Sequence, residues 1–159
     1  MSTIFEPSHQ LQPLGELRVI DAMHPGMISC PPETSLRTVA RMMATYRVHA
    51  IIVLANDSDG LDGGTLWGVV SDADLMLAAQ ADDFELQTAR SLAATAPLTI
   101  EADASLESAV RLMVEHEVTH LIVVERHSRR PIGVVSTLDI AGALAGYVAQ
   151  APGTTTSRP

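Results

Sequence analysis

The feature that most limits what this 159-residue chain can fold into is that much of it is written twice. Shifted by 70 positions, Ser35-Leu36 falls on Ser105-Leu106, and Val39, Met43, Val48 and Val53 fall on Ala109, Met113, Val118 and Val123. Gly68-Val69-Val70-Ser71 matches Gly133-Val134-Val135-Ser136 at a shift of 65, so the first copy carries five extra residues. They belong in residues 56–64, a run of Asp, Ser and Gly suited to a hairpin loop. Repetition at this spacing means one supersecondary unit used twice. Each copy opens with a short apolar segment (residues 17–23 and 88–94) and a brief strand (27–30 and 98–101). Leu36, Val39, Ala40 and Met43, like Leu106, Ala109, Val110 and Met113, recur at i, i+3, i+4 and i+7, an amphipathic helix, with Ser35 and Ser105 as N-caps. β-branched runs at 50–54 with 66–70, and at 120–124 with 132–135, read as hairpins, and helices over 72–81 and 137–150 close the copies. A three-stranded sheet of about sixty residues cannot cover both its faces alone. The expected fold is therefore mixed α/β of the α+β kind: two βαββα repeats, residues 15–82 and 83–149, packed with pseudo-two-fold symmetry. Residues 1–14 and 150–159 lack periodicity and are expected to be flexible ends.

Composition removes whole classes of function. A formal charge of −9 leaves no basic stripe for displacing counterions from a duplex. Aromatics at 3% leave no stacking platform for single strands, so a nucleic-acid partner is not expected. No run of eighteen apolar residues and no signal-peptide pattern is present, so a membrane partner is not expected either. The lone Cys30 excludes an internal disulfide and fits a reducing, cytoplasmic setting.

The segment that carries chemistry is Gly-x-x-Ser-x-x-Asp, placed where a strand turns into a helix: Gly68, Ser71 and Asp74 in the first copy, Gly133, Ser136 and Asp139 in the second. Free N–H groups and partial positive charge at a helix start suit a phosphate. An Asp one turn along can accept from both hydroxyls of a ribose. Glycine on the strand would admit a flat ligand close to the backbone. The same letters also spell a capping box, in which Ser and Asp satisfy the helix's own orphan amides. Duplication does not separate these alternatives, because a cap would be duplicated too.

Taken with Val19-Ile20-Asp21-Ala22-Met23-His24-Pro25 at the entry, residues 32–43 and the Val48–Val53 strand, the two motifs make residues 17–147 resemble a pair of cystathionine-β-synthase (CBS) domains, a Bateman module. The resemblance implies a binding module for an adenosine-type ligand: AMP, ADP, ATP or S-adenosylmethionine. It implies that Ser71 and Asp74 serve one site and Ser136 and Asp139 the other, with Ile28 and Leu98 contacting the bases through backbone. Where relatives carry a basic pair followed by Leu-Pro-Val, this chain has His49-Ala50-Ile51 and Thr119-His120-Leu121, so His49 and His120 would be weak, pH-dependent phosphate partners. Asp72 adds repulsion at the first motif, whereas Thr137 does not. The second site is thus the better one, and a mono- or diphosphate or an uncharged adenosyl group suits it better than ATP. The resemblance also implies a homodimer, for which the apolar runs 75–79 and 140–149 are contact faces, and an effector protein as the receiver of the signal.

No Ser-His-Asp or Cys-His constellation, nucleophile elbow or P-loop is present, so the chain is expected not to be an enzyme and to require no cofactor. His116 and His120 have helical metal-pair spacing, but the β-branched run after Val118 ends the helix between them. Arg126, Arg129 and Arg130 form a basic cluster expected to be a solvated hairpin tip. The expected function is a non-catalytic sensor that binds an adenosine-type ligand and signals through shape. A ligand-free oligomerisation or adaptor protein, in which the motifs are caps only, is the alternative.

Overall fold

The structure, a computed structural model, describes residues 12–55, 64–93 and 97–147. The first repeat runs α1 (Val19–Ala22), β1 (His24–Pro25), β2 (Ser29–Cys30), α2 (Leu36–Tyr46), β3 (Ala50–Ala55), β4 (Thr65–Ser71) and α3 (Asp72–Ala78). A 3₁₀ turn at Phe84–Leu86, which periodicity does not signal, leads to the second: α4 (Ala89–Leu92), β5 (Thr99–Glu101), α5 (Leu106–Glu115), β6 (His120–Val124), β7 (Pro131–Ser136) and α6 (Thr137–Leu144). The hydroxyls of Ser35 and Ser105 accept from the amides of Thr38 and Ser108 and start α2 and α5 as expected. Helix α6 ends six residues earlier than periodicity suggests. Gly146 adopts φ +81°, and the amides of Gly146 and Tyr147 close back on the carbonyls of Ala143 and Gly142, a Schellman stop.

The strands form two sheets, β2-β3-β4 and β1-β7-β6-β5. In both, the short first strand pairs in parallel and the hairpin antiparallel. Each hairpin slips register at the same place, Val53/Leu54 and Val123/Val124, just beyond the residues that face Gly68 and Gly133. Alternation sets the layers. Ile51, Val53 and Val70 face α2 and its neighbours, and Leu121, Val123 and Val135 face α5 and α6. The opposite faces meet each other: Ile52, Ile122 and Val124, with Leu54, Val69 and Val134, form the layer between the two sheets. The sheet face that neither copy can cover alone is thus covered by its twin.

The entry segments do not stay with their own copies. Leu17, Val19, Ala22 and Met23 are buried among Leu106, Ala109, Met113, Leu121 and Val135 of the second repeat. Ala89 and Ala93 are buried among Val39, Met43, Ile51 and Val70 of the first. Backbone bonds repeat the exchange. The amides of Val19 and Ile20 reach the carbonyls of Ala104 and Ala102, and Leu106 N–H reaches Leu17; the amides of Ala89 and Arg90 reach Thr34 and Pro32, and Leu36 N–H reaches Gln87. Each bond has its counterpart seventy residues away. Leu14, placed by sequence in a flexible end, also packs against the second core, and its carbonyl accepts from Glu107 N–H. Residues 1–11, 56–63, 94–96 and 148–159, which include most of the expected flexible ends and of the loop at 56–64, lie outside the described residues.

This exchange corrects the role expected of the motif glycines. A Cβ at Gly133 would stand 2.5 Å from the His24 carbonyl oxygen, and one at Gly68 2.6 Å from that of Ala93. Glycine admits the crossing entry segment there and not a ligand. Gly133→Ala is therefore expected to force β1 off β7 and cost about 1–3 kcal/mol, the usual range for overpacking, measured by urea denaturation. An unchanged midpoint would show that the crossing segment is not pressed against the strand.

Candidate functional site

Both Gly-x-x-Ser-x-x-Asp motifs form complete capping boxes. In the first, Asp74 Oδ2 accepts from Ser71 N–H at 2.8 Å and from Ser71 Oγ at 2.7 Å, while Ser71 Oγ accepts from Asp74 N–H. In the second, Asp139 Oδ2 accepts from Ser136 N–H at 2.7 Å and Oγ at 2.8 Å, and Ser136 Oγ accepts from Asp139 N–H. The capping role is real in both copies. What separates them is what lies in front of each cap.

In front of Ser136 and Asp139 is a cavity of about 550 Å³, within the roughly 300–1,000 Å³ of small-molecule sites. Its walls come from both repeats: residues 24–28 before β2, residues 47–50 and Ile52 around the start of β3, and His120, Val134, Ser136, Leu138 and Asp139. Met27, Ile28, Val48, Ile52 and Val134 make an apolar interior. Three of the chain's six histidines, His24, His49 and His120, line it. Asp139 is only 6% exposed, and its second oxygen, Oδ1, lies 2.9 Å from Nδ1 of His24, which is 77% exposed. The buried carboxylate thus faces the cleft as well as its own main chain, and the group that meets it there is an exposed side chain.

At the first motif an acidic residue stands at the helix start. Asp72 Oδ1 accepts from Ala73 N–H at 2.9 Å, occupying an amide at the start of α3, and Oδ2 lies 2.8 Å from His49 Nδ1. That hydrogen bond from His49 holds the Asp72 carboxyl below the usual carboxylate range. Asp74 has no partner among the described residues beyond Ser71. The second repeat carries Thr137 where Asp72 stands, and the Thr137 amide is taken by the Thr119 carbonyl just as the Asp72 amide is taken by His49.

Of the residues singled out from sequence, the cavity brings together Ile28, His49, His120, Ser136 and Asp139. Ser71, Asp74, Gly68 and Leu98 do not line it; Leu98 packs against the second core and its carbonyl accepts from Ile122 N–H, as Ile28's does from Ile52 N–H. Two lining residues were missed. His24 sits in a His-Pro-Gly sequence that reads only as a turn, and Arg47 reads as the solvated end of an amphipathic helix. The remaining constellations are structural. His116 caps α5 and His120 opens β6, so no helix carries both, and among the described residues no three His, Cys, Asp or Glu side chains are placed to hold a metal ion. Arg126 pairs with Asp103 and Arg129 with Glu101, which makes the hairpin tip a self-neutralised surface. Cys30 is buried beside β3, and burial pushes its thiol pKa up, away from reactivity.

The profile of the CBS domain matches residues 19–81 and again 89–146. The chain belongs to the CBS domain family. Among curated proteins it is 26% identical over 123 residues to Hypoxic response protein 1 of Mycobacterium tuberculosis, covering 76% of this chain and 80% of that one. The crystal structure of Hypoxic Response Protein I, which has two coordinated zinc ions, superposes with a TM-score of 0.60 at 27% identity, over 78% of this chain and 96% of that one. A structure of CBSX2 in complex with AMP matches at a TM-score of 0.65 and 25% identity, covering 82% and 97%. The CBS domain pair of protein MJ0100, solved with 5′-methylthioadenosine and S-adenosyl-L-methionine, reaches 0.69 at 19% identity over 81% and 96%, a likeness of fold.

Within this CBS pair the half-buried His120 makes stability depend on pH. Burial holds His120 below the ordinary pKa of about 6.5, opposed by the nearby carboxylates of Asp72, Asp139 and Asp74 and reinforced by His49. The unfolded chain therefore binds a proton that the folded one resists. The stability linked to His120 is complete above about pH 6.5 and is lost as pH falls through its lower folded value. Thermal melts between pH 7.5 and 5.5 should show the wild type losing stability on acidification and His120→Asn losing less. Parallel curves would show that His120 is not desolvated.

Proposed function

We propose that this CBS pair is a non-catalytic sensor that binds one adenosine-type ligand between its repeats, in the cleft in front of Ser136 and Asp139. The observation that carries this reading is the cavity itself: an apolar slot that ends at a buried carboxylate and the start of α6. A purine fits between the aliphatic side chains of Met27, Ile28, Ile52 and Val134. The ribose hydroxyls fit the free lone pairs of Asp139 once His24 moves aside, with Asp139 as acceptor and the hydroxyls as donors. A phosphate or other 5′ group would lie toward the amides of α6 and Ser136 Oγ. The relative crystallised with AMP supports the ligand class. Asp72, which fills an amide at the start of α3 with its own carboxylate, supports the Ser136–Asp139 cleft as the principal site.

The ligand would act by favouring one relative orientation of the repeats, to the extent that it binds that orientation more tightly. The receiver of the signal is an effector protein or a homodimer partner, met through the exposed apolar residues Met76, Leu77, Leu138 and Leu144 of α3 and α6. A buried free thiol suits a reducing cytoplasm. The second reading, a ligand-free adaptor, is favoured at the Ser71–Asp74 motif, where only the cap is seen.

Thermal shift with AMP, ADP, ATP and S-adenosylmethionine tests this. At a hundredfold excess over the dissociation constant, a ligand should add ~2.7 kcal/mol of stability. Asp139→Ala should abolish that gain while lowering apo stability by about 1–2 kcal/mol, the size of a lost cap. No shift with any of the four ligands, in a chain that melts cooperatively, would establish the adaptor. A full ligand-induced gain in the Asp139→Ala variant would reduce that carboxylate to a cap.

A further inference from the structure

Arg47 is the one lysine or arginine that lines the cavity. It is the C-cap of α2, held at φ 56°, ψ 41° in the left-handed region, with its amide bonded to the Met43 carbonyl. Helices commonly stop on such a residue, but the position favours glycine or asparagine, which adopt it at lower cost. The cap alone therefore does not explain an arginine. Elsewhere, Arg37, Arg90, Arg126 and Arg129 each hold a carboxylate. Arg47, like Arg18, Arg41 and Arg130, has no carboxylate partner among the described residues, and it alone of these lines the cavity. The repeat supplies an internal control. The equivalent position of the second copy is Glu117, at φ 54°, so the same backbone device presents a carboxylate in one repeat and a guanidinium in the other.

We propose that Arg47 is the specificity-determining residue of the cleft: it reads a phosphate on the 5′ side of the nucleoside and makes the cavity prefer adenosine phosphates over adenosine or S-adenosylmethionine. This rests on the nucleoside reading above and adds the ligand's charge. A guanidinium offers paired N–H donors that match phosphate oxygens in a bidentate contact. The left-handed cap turns the chain from α2 toward β3, and position 47 lines the cavity beside His49 as well as the groove between α2 and α3. With Glu117 at the matching position, a phosphate is drawn to one side of the pair and repelled from the other. One phosphorylated ligand per chain follows.

Calorimetric titration of the full chain with AMP, adenosine and S-adenosylmethionine decides this. Wild-type protein should bind AMP about 10- to 100-fold more tightly than adenosine, the worth of a charge-assisted contact, and the preference should shrink with added salt. Arg47→Asn and Arg47→Gly, both compatible with the left-handed cap, should remove the preference by bringing AMP affinity down toward that of adenosine. Arg47→Lys should restore part of it. Adenosine binding with no AMP preference in the wild type, or a preference that survives in both Arg47→Asn and Arg47→Gly, would overturn the role of Arg47 while leaving the nucleoside cleft in place. Failure of all three ligands to bind would overturn both.

Discussion

Seven residues at the start of each repeat lie across the other repeat's core, held there by three backbone hydrogen bonds and by the absence of a side chain on one facing strand residue. The bonds from Val19 and Ile20 to Ala104 and Ala102, and from Leu106 to Leu17, tie the first entry segment beneath α5. Gly133 lets His24 and Pro25 lie against β7 as a fourth strand. The cleft depends on this crossing. Residues 24–28 leave the second repeat's sheet edge and enter the first repeat's sheet at β2, and along the way they form the wall opposite Ser136 and Asp139. Without the exchange, the cap of α6 would face solvent, and nothing would distinguish it from any other capped helix.

The two halves share a backbone plan but not a charge plan. Asp72 stands where the second copy has Thr137, and Arg47, which lines the cavity with Ser136 and Asp139, stands where it has Glu117. The capping box serves as a common chassis: it keeps both helix starts satisfied with or without a ligand. At α3, Asp72 fills a further amide; at α6 that position has no carboxylate to do so. Duplication followed by a handful of substitutions is enough to give the two helix starts different charge. The buried state of Asp139, in contact with an exposed imidazole and not with a second fixed group, keeps the receptive side adaptable.

Much of the architecture was legible before any coordinates. The i, i+3, i+4, i+7 stripes of α2 and α5 and the β-branched hairpins set element type, and the uncovered sheet face required the two copies to pack. The exchange was not legible, because a short apolar segment at the head of a repeat reads the same whichever core receives it. Only Gly68 and Gly133 hinted at a close approach, and a ligand was as reasonable a visitor as a strand. His24 and Arg47 escaped for a related reason. Each gains its place from a turn or a left-handed cap, and the direction in which such a residue sends its side chain is decided by tertiary contacts, not by local spacing. Helix α6 was drawn too long because Ala and Val after Gly146 continue an apolar pattern that the glycine's positive φ interrupts.

The crossing of Leu17–Met23 and Ala89–Ala93 also bears on how such a duplicated gene can change. A substitution at Val19 is judged by Ala109 and Leu121, and one at Ala93 by Gly68, each encoded in the opposite half. Neither half can be traded for that of a cousin, trimmed away or allowed to drift alone without leaving a hole in what remains. Two segments that began as copies are thereby bound to a shared inheritance, even as the few positions around their helix starts diverge.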